Sequence, residues 1–150
     1  MITDLARNDL GRVCVPGSVK VDSLFELERY ASVAQMTSTV SGQLRTGLDV
    51  WDALAATFPP GSMTGAPKIE ACRVIRELEQ GPRGLYGGVL GWIEPSGDAE
   101  FSVVIRSLQS RGGQARWDIG GGIVHDSQVD AEWDEAWAKV AALRPLIANP

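Results

Sequence analysis

From Val19 onward the chain mixes Val, Leu, Tyr and Thr with polar residues, VKVDSLFELERYASVAQMTSTVSGQL, which predicts several short extended segments. In GLDVWDALAATF, Val50, Leu54 and Phe58 recur at i, i+4 and i+8, the spacing of an amphipathic helix opened by Gly47 and closed by Pro59-Pro60. A second helix is predicted over 67–79, with Ile69, Cys72, Ile75 and Leu78 along one side. LYGGVLGWIE (85–94) and AEFSVVIRSLQ (99–109) read as a strand pair around the turn Pro95-Ser96-Gly97-Asp98, and ARWDIGG as a third strand. From about Ser127 the pattern is helical to about Ile147. Strands do not alternate with helices as a doubly wound fold requires, so the expected class is α+β, an antiparallel sheet packed with helices. The opening MITDLARNDLGR brings Asp4, Arg7, Asn8 and Asp9 with no strand or helix lead-in and reads as the middle of a domain.

The 150 residues suit one domain, and 44% hydrophobic with 22% charged residues is enough to bury a core. A net charge of -5 with scattered Lys and Arg argues against nucleic acid. No apolar run reaches the roughly 20 residues that span a bilayer, and the charged opening is no secretory signal. A cytoplasmic protein is expected, with Cys14 and Cys72 as reduced core thiols.

Four stretches could carry chemistry. FPPGSMTGAPKIEA (58–71) runs a Pro-Pro-Gly turn into a helix start, where unpaired N–H groups attract phosphate or carboxylate. Thr64 or Gly65 is placed to cap, Pro67 lies in the first turn, and Lys68 adds a positive charge. A nucleotide P-loop is excluded by spelling, because Ala66-Pro67 separates Gly65 from Lys68. On its own the loop reads as a turn and N-cap, with an anion site as the alternative. In IGGGIVHDS, Gly120, Gly121 and Gly122 follow a strand, and His125 stands where a dinucleotide fingerprint would have its last glycine. Such a run is costly to order and signals close approach of the backbone, to a ligand or to another element.

In VDAEWDEAWAKVAAL, Trp133, Trp137 and Val140 form a predicted core-facing stripe, with Glu132, Glu135 and Lys139 beside it at i, i+3 and i+7. Two carboxylates one turn apart can share a hard cation such as Mg2+. The simpler reading is a solvated acidic face with a Glu135–Lys139 pair. Arg106, in the apolar FSVVIRSL, would need an anionic partner inside a strand, and a carboxylate suits its fork. Tyr86 is a pocket donor or a core aromatic, and His125, the sole histidine, has no evident role. No catalytic triad order and no metal-type Cys/His cluster is present.

Taken in order, DLARNDLGRV (4–13), FPPGSMTGAPK (58–68), RGLYGGVLGW (83–92), VVIRS (103–107), GGGIVHDS (120–127) and AEWDEAWAKV (131–140) resemble the chorismate-utilising enzymes. These are the anthranilate, aminodeoxychorismate, isochorismate and salicylate synthases. The resemblance implies a chorismate substrate bound with Mg2+, the metal held by glutamates matching Glu132 and Glu135. It implies further that Lys139 faces a substrate carboxylate and that Arg106 and Tyr86 hold the pyruvyl part. Gly120, Gly121 and Gly122 would line the other side, and Thr64 and Gly65 would approach the ring.

Within the family, Gln35 stands where anthranilate synthases usually carry His, and AEFSVVIRS and PPGSMTGAPK look more like aminodeoxychorismate synthases. The resemblance therefore implies the C-terminal segment of aminodeoxychorismate synthase component I. That enzyme replaces the chorismate 4-hydroxyl with ammonia from a glutamine amidotransferase subunit, towards 4-aminobenzoate and folate. The alternatives are anthranilate synthase component I, on the tryptophan route, and a non-catalytic remnant serving as a binding or assembly module. The branch's adduct-forming lysine in Pro-Ile-Lys-Gly-Thr, the general-acid glutamate and a further Mg2+-binding glutamate all belong upstream of DLARND. No catalytic residue is therefore expected here, and the chain alone is expected to be inactive. A half-sheet with an unpaired edge would also invite homo-oligomerisation.

Overall fold

The computed structural model describes residues 2–31 and 33–141. They fall into two compact units, Met1–Gln80 with Glu94–Ala99, and Gly81–Ile93 with Glu100–Pro150.

In the first unit the charged opening is helical, α1 (Ile2–Gly11). It leads into a small core of Val13, Cys14 and Ala56, against which Leu10, Val19, Leu44 and Leu48 pack. Backbone bonds from Val15 N–H to the Gln43 carbonyl (2.8 Å) and from Arg45 N–H to the Val13 carbonyl (3.0 Å) zip that region together. β1 (Lys20–Arg29) and β2 (Ala34–Ser41) pair antiparallel. The register slips between Ser23 and Glu26, where Phe25 takes φ 57 and its N–H turns to Ser38 Oγ at 3.1 Å. Two long strands thus replace the several short ones expected.

α2 (Val50–Thr57) begins later than Gly47 suggested, because Asp49 closes a capping box with Asp52. The short α3 (Gly61–Thr64) then ends at Gly65, whose φ of 125 only glycine adopts readily. Neither Thr64 nor Gly65 caps the following helix as expected. Thr64 Oγ1 bonds back to the Pro60 carbonyl, and Pro67 is the N-cap of α4 (Lys68–Leu78), without a side-chain bond. Cys72 and Ile75 on α4 are half-buried, whereas Ile69 (82% exposed) and Leu78 (77%) of the same predicted stripe face outward.

The second unit is built on hairpins and one helix. β3 (Val89–Ile93) and β4 (Ala99–Val103) are neighbours. The expected strand 99–109 breaks after Val103, and β5 (Leu108–Arg111) instead pairs antiparallel with β6 (Gln114–Trp117). Gly112 and Gly113 join them with φ 58 and 77, the two left-handed positions of a tight hairpin turn. α5 (Val129–Val140) closes the described chain, and the predicted extension of this helix to Ile147 lies outside the described residues. Among the described residues the fold is therefore α+β, arranged as three two-stranded sheets, of which β1–β2 and β5–β6 are antiparallel. Cys14 and Cys72 are unbridged, the first buried and the second half-buried.

Candidate functional site

The second unit gathers most of the sequence's candidates on the outer side of α5 and on two loops. Asp130 and Glu132 occupy the first turn of α5 and Lys139 the last, signs that suit the helix dipole. The turn before the helix is locked by Ser127, whose Oγ accepts from Val124 N–H (3.0 Å) and donates to Glu132 Oε1 (2.5 Å). Glu132 is thus half-buried and held in place. One turn on, Glu135 Oε1 lies 2.5 Å from Lys139 Nζ. The hydrogen bond from Lys139, and then its charge, hold the Glu135 carboxyl below its ordinary pKa.

Lys139 Nζ also donates to the Gly120 carbonyl at 3.2 Å, which draws the glycine loop to the helix. A Cβ on Gly121 would stand 3.1 Å from Glu132 Oε2, and one on Gly120 would collide with the Tyr86 hydroxyl at 2.7 Å. The glycines are therefore where the backbone approaches polar side chains closely, and no bulkier residue fits without displacing them. Tyr86 is half-buried, with the Arg83 guanidinium 5.7 Å from its ring centroid. Its turn is fixed to the end of β4 by Gly87 N–H to the Val104 carbonyl and Val104 N–H to the Gly88 carbonyl, both 2.9 Å.

The helix stripe, Gly120, Gly121 and Tyr86 thus come together. Gly122 continues the same exposed loop. Arg106 departs from expectation: it is exposed, at φ 52, in the bend between β4 and β5, and not inside a strand. The chain turns a corner there, so the apolar neighbours on either side do not enclose it. Trp133 and Trp137 also depart, being 62% and 46% exposed, while Ala136 and Val140 supply the buried face of α5. Thr64 and Gly65 belong to the first unit. There Lys68 is not free for an anion, because Asp9 Oδ1 holds it at 2.8 Å.

The sequence names Ser127 only as a helix start and Asp9 only among the opening charges, and gives neither a role in a site. Ser127 could have been found as a hydroxyl at a turn just before an acidic helix start. Asp9 had no local signal.

Among the described residues no group of three or more His, Cys, Asp or Glu is placed to hold a metal ion. Mg2+, however, is commonly held by one or two carboxylates, with water and substrate oxygens completing the shell. The donor set of Glu132 and Glu135 fits that requirement.

The second unit thus sets two carboxylates and a lysine of one helix against a glycine loop, in an α+β fold. The family model for chorismate binding enzymes matches residues 1–145, and the chain belongs to that family. Among its relatives is anthranilate synthase component 1 of Mycobacterium tuberculosis (strain ATCC 25618 / H37Rv), 46% identical over 99% of this chain and 29% of the relative. The Aquifex aeolicus protein of the same name is 44% identical over 98% of this chain and 30% of its own length. The crystal structure of anthranilate synthase component I from Streptococcus pneumoniae TIGR4 superposes with a TM-score of 0.88 at 40% identity, over 95% of this chain and 33% of that one. A putative 2,3-dihydroxybenzoate-specific isochorismate synthase from Bacillus anthracis gives 0.84 at 25% identity, over 99% of this chain and 40% of that one. The chain thus spans about three tenths of the length of the curated relatives.

These names turn the branch expectation from aminodeoxychorismate synthase to anthranilate synthase. Gln35, the residue that favoured the aminodeoxychorismate branch, is an exposed side chain of β2 opposite Glu28.

Proposed function

We propose that this chain is the C-terminal portion of a component I of the anthranilate synthase type, carrying the metal and carboxylate end of a chorismate site. The observation that supports it best is the convergence of Glu132, Glu135, Lys139 and Gly120 on one side of α5, in a chain whose relatives bear that name.

In this reading Glu132 and Glu135 hold Mg2+, with Ser127 orienting the first of them. Bound there, the ion would neutralise a substrate carboxylate. Lys139 exchanges its contact with Glu135 for a substrate carboxylate, a compact ammonium charge suited to that task. The glycine loop presents backbone groups at short range, and the Tyr86 hydroxyl and Arg106 donate to the pyruvyl part. Thr64 and Gly65 are proposed as ring contacts on their motif alone. The chain supplies no general acid or nucleophile in this reading, so turnover depends on further polypeptide, with ammonia delivered by a glutamine amidotransferase. A cytoplasmic setting follows from such a partner and substrate.

Calorimetry with chorismate, with and without Mg2+, tests the site: binding should require the metal, and Glu135→Ala should weaken Mg2+ affinity by at least about tenfold. Metal dependence unchanged in that variant would sink the assignment. Joining the chain to the remaining portion of the mycobacterial relative tests the branch. With chorismate and ammonium it should form anthranilate, and formation of aminodeoxychorismate would overturn this choice.

A further inference from the structure

α5 carries more apolar surface than its own unit covers. Round the helix, the Glu132–Glu135–Lys139 stripe is followed by the buried Ala136 and Val140 and then by Trp133 and Trp137, with Val129, two turns before Ala136 in the same row, one turn below Trp133. Val129, Trp133 and Trp137 are 85%, 62% and 46% exposed. The two indoles pack edge to face, with centroids 5.9 Å apart at 78°, and form a contiguous apolar ridge. A tryptophan buries about 150–250 Å2 when covered, so this ridge has the composition of a core or an interface centre.

Two facts point to what covers it. The same conformation, at a TM-score of 0.88, occurs inside a solved chain of which this one covers only 33%. It is thus held among about twice as much additional polypeptide. A second copy is a poor occupant, because α5 bears Asp130, Glu132, Asp134 and Glu135 against Lys139 alone, and pairing two such helices would oppose like charges.

We propose that Val129, Trp133 and Trp137 form the docking surface for the polypeptide that makes up the other two thirds, roughly, of the relatives' length, supplied on the same chain or in trans. This rests on the reading under Proposed function and adds to it the surface through which the site is completed. The docked face lies on the same helix as the carboxylates, so docking fixes α5 on the side next to its buried stripe and holds Glu132 and Glu135 for the substrate.

The test co-expresses this chain with the part of the mycobacterial relative that precedes its match. Complex formation is followed by gel filtration, and tryptophan shielding by oxidative footprinting read residue by residue. A heterodimer is expected in which Trp133 and Trp137 are protected at least fivefold. Trp133→Lys with Trp137→Lys should weaken association at least tenfold, lysine being a good helix former at exposed positions. The footprint of the unaltered chain decides the matter even if that variant fails to fold. Absence of a heterodimer, a heterodimer with both tryptophans still reactive, or a homodimer that protects them would each overturn the proposal. Anthranilate assays on the same complex separate the two readings. Protection without anthranilate formation would keep the docking surface and reject the enzyme assignment. Anthranilate formation with reactive tryptophans would do the reverse.

Discussion

Lys68 Nζ lies 2.8 Å from Asp9 Oδ1, although 59 positions separate the two residues. Asp9 is buried near the C-terminal end of α1, where the helix dipole opposes a negative charge, and Lys68 offsets both penalties. The lysine also donates to the Thr57 carbonyl at 3.3 Å, so it joins α1, the end of α2 and the start of α4.

Removing the lysine should therefore leave a buried, uncompensated carboxylate. Lys68→Met is expected to lower stability by about 3 kcal/mol, and the double change with Asp9→Leu by clearly less. Urea unfolding followed by circular dichroism measures both. Equal losses in the single and double variants would show that the pair is not coupled.

α2 gives a smaller and more local effect. Asp49 Oδ1 accepts from Trp51 N–H (2.8 Å) and Asp52 N–H (3.2 Å), and Asp52 Oδ2 accepts from Asp49 N–H (2.9 Å). Asp49→Ala should cost about 1 kcal/mol, while Asp49→Asn should cost far less, because the amide oxygen still caps. Thermal melts of the two variants should separate by several degrees.

What the sequence could reveal followed the range of its signals. Periodicity placed α2 and α4 within a few residues, and turn chemistry at 95–98 placed the β3–β4 connection. The i, i+3, i+7 stripe of Glu132, Glu135 and Lys139 was legible because helix geometry alone puts those side chains together. The apolar run at 101–105 was misread as one strand through Arg106, since a φ of 52 at a single residue leaves no compositional trace. Trp133 and Trp137 were assigned to a core because apolar spacing identifies a face and not what covers it. The Asp9–Lys68 pair was invisible because nothing local announces a contact made only after folding.

The glycine loop offers a test of close approach. A Cβ at Gly120 would stand 2.7 Å from the Tyr86 hydroxyl and touch little else. Gly120→Ala should then cost about 1 kcal/mol by crowding, and Tyr86→Phe should recover most of it in the double variant. A double-mutant cycle in urea measures the coupling. Strictly additive effects would mean that the loop does not rest against Tyr86.

Glu135 and Lys139 give the pH prediction. The hydrogen bond from Lys139, and then its charge, lower the folded Glu135 pKa below the ordinary 4.5. A group depressed in the folded state stabilises it fully above the ordinary value and loses that contribution as pH falls through the folded one. The loss therefore belongs to the acid limb, below about 4.5, and neutral pH leaves it intact. Carbon NMR of the Glu135 carboxyl should show a midpoint below the ordinary value, returning to it in Lys139→Met. Because the pair is exposed, 1 M salt, where the screening length is about 3 Å, should shrink the difference between the two proteins. A midpoint unchanged by Lys139→Met would mean that the lysine spends its time elsewhere, on the Gly120 carbonyl, and that Glu135 is already free for a cation.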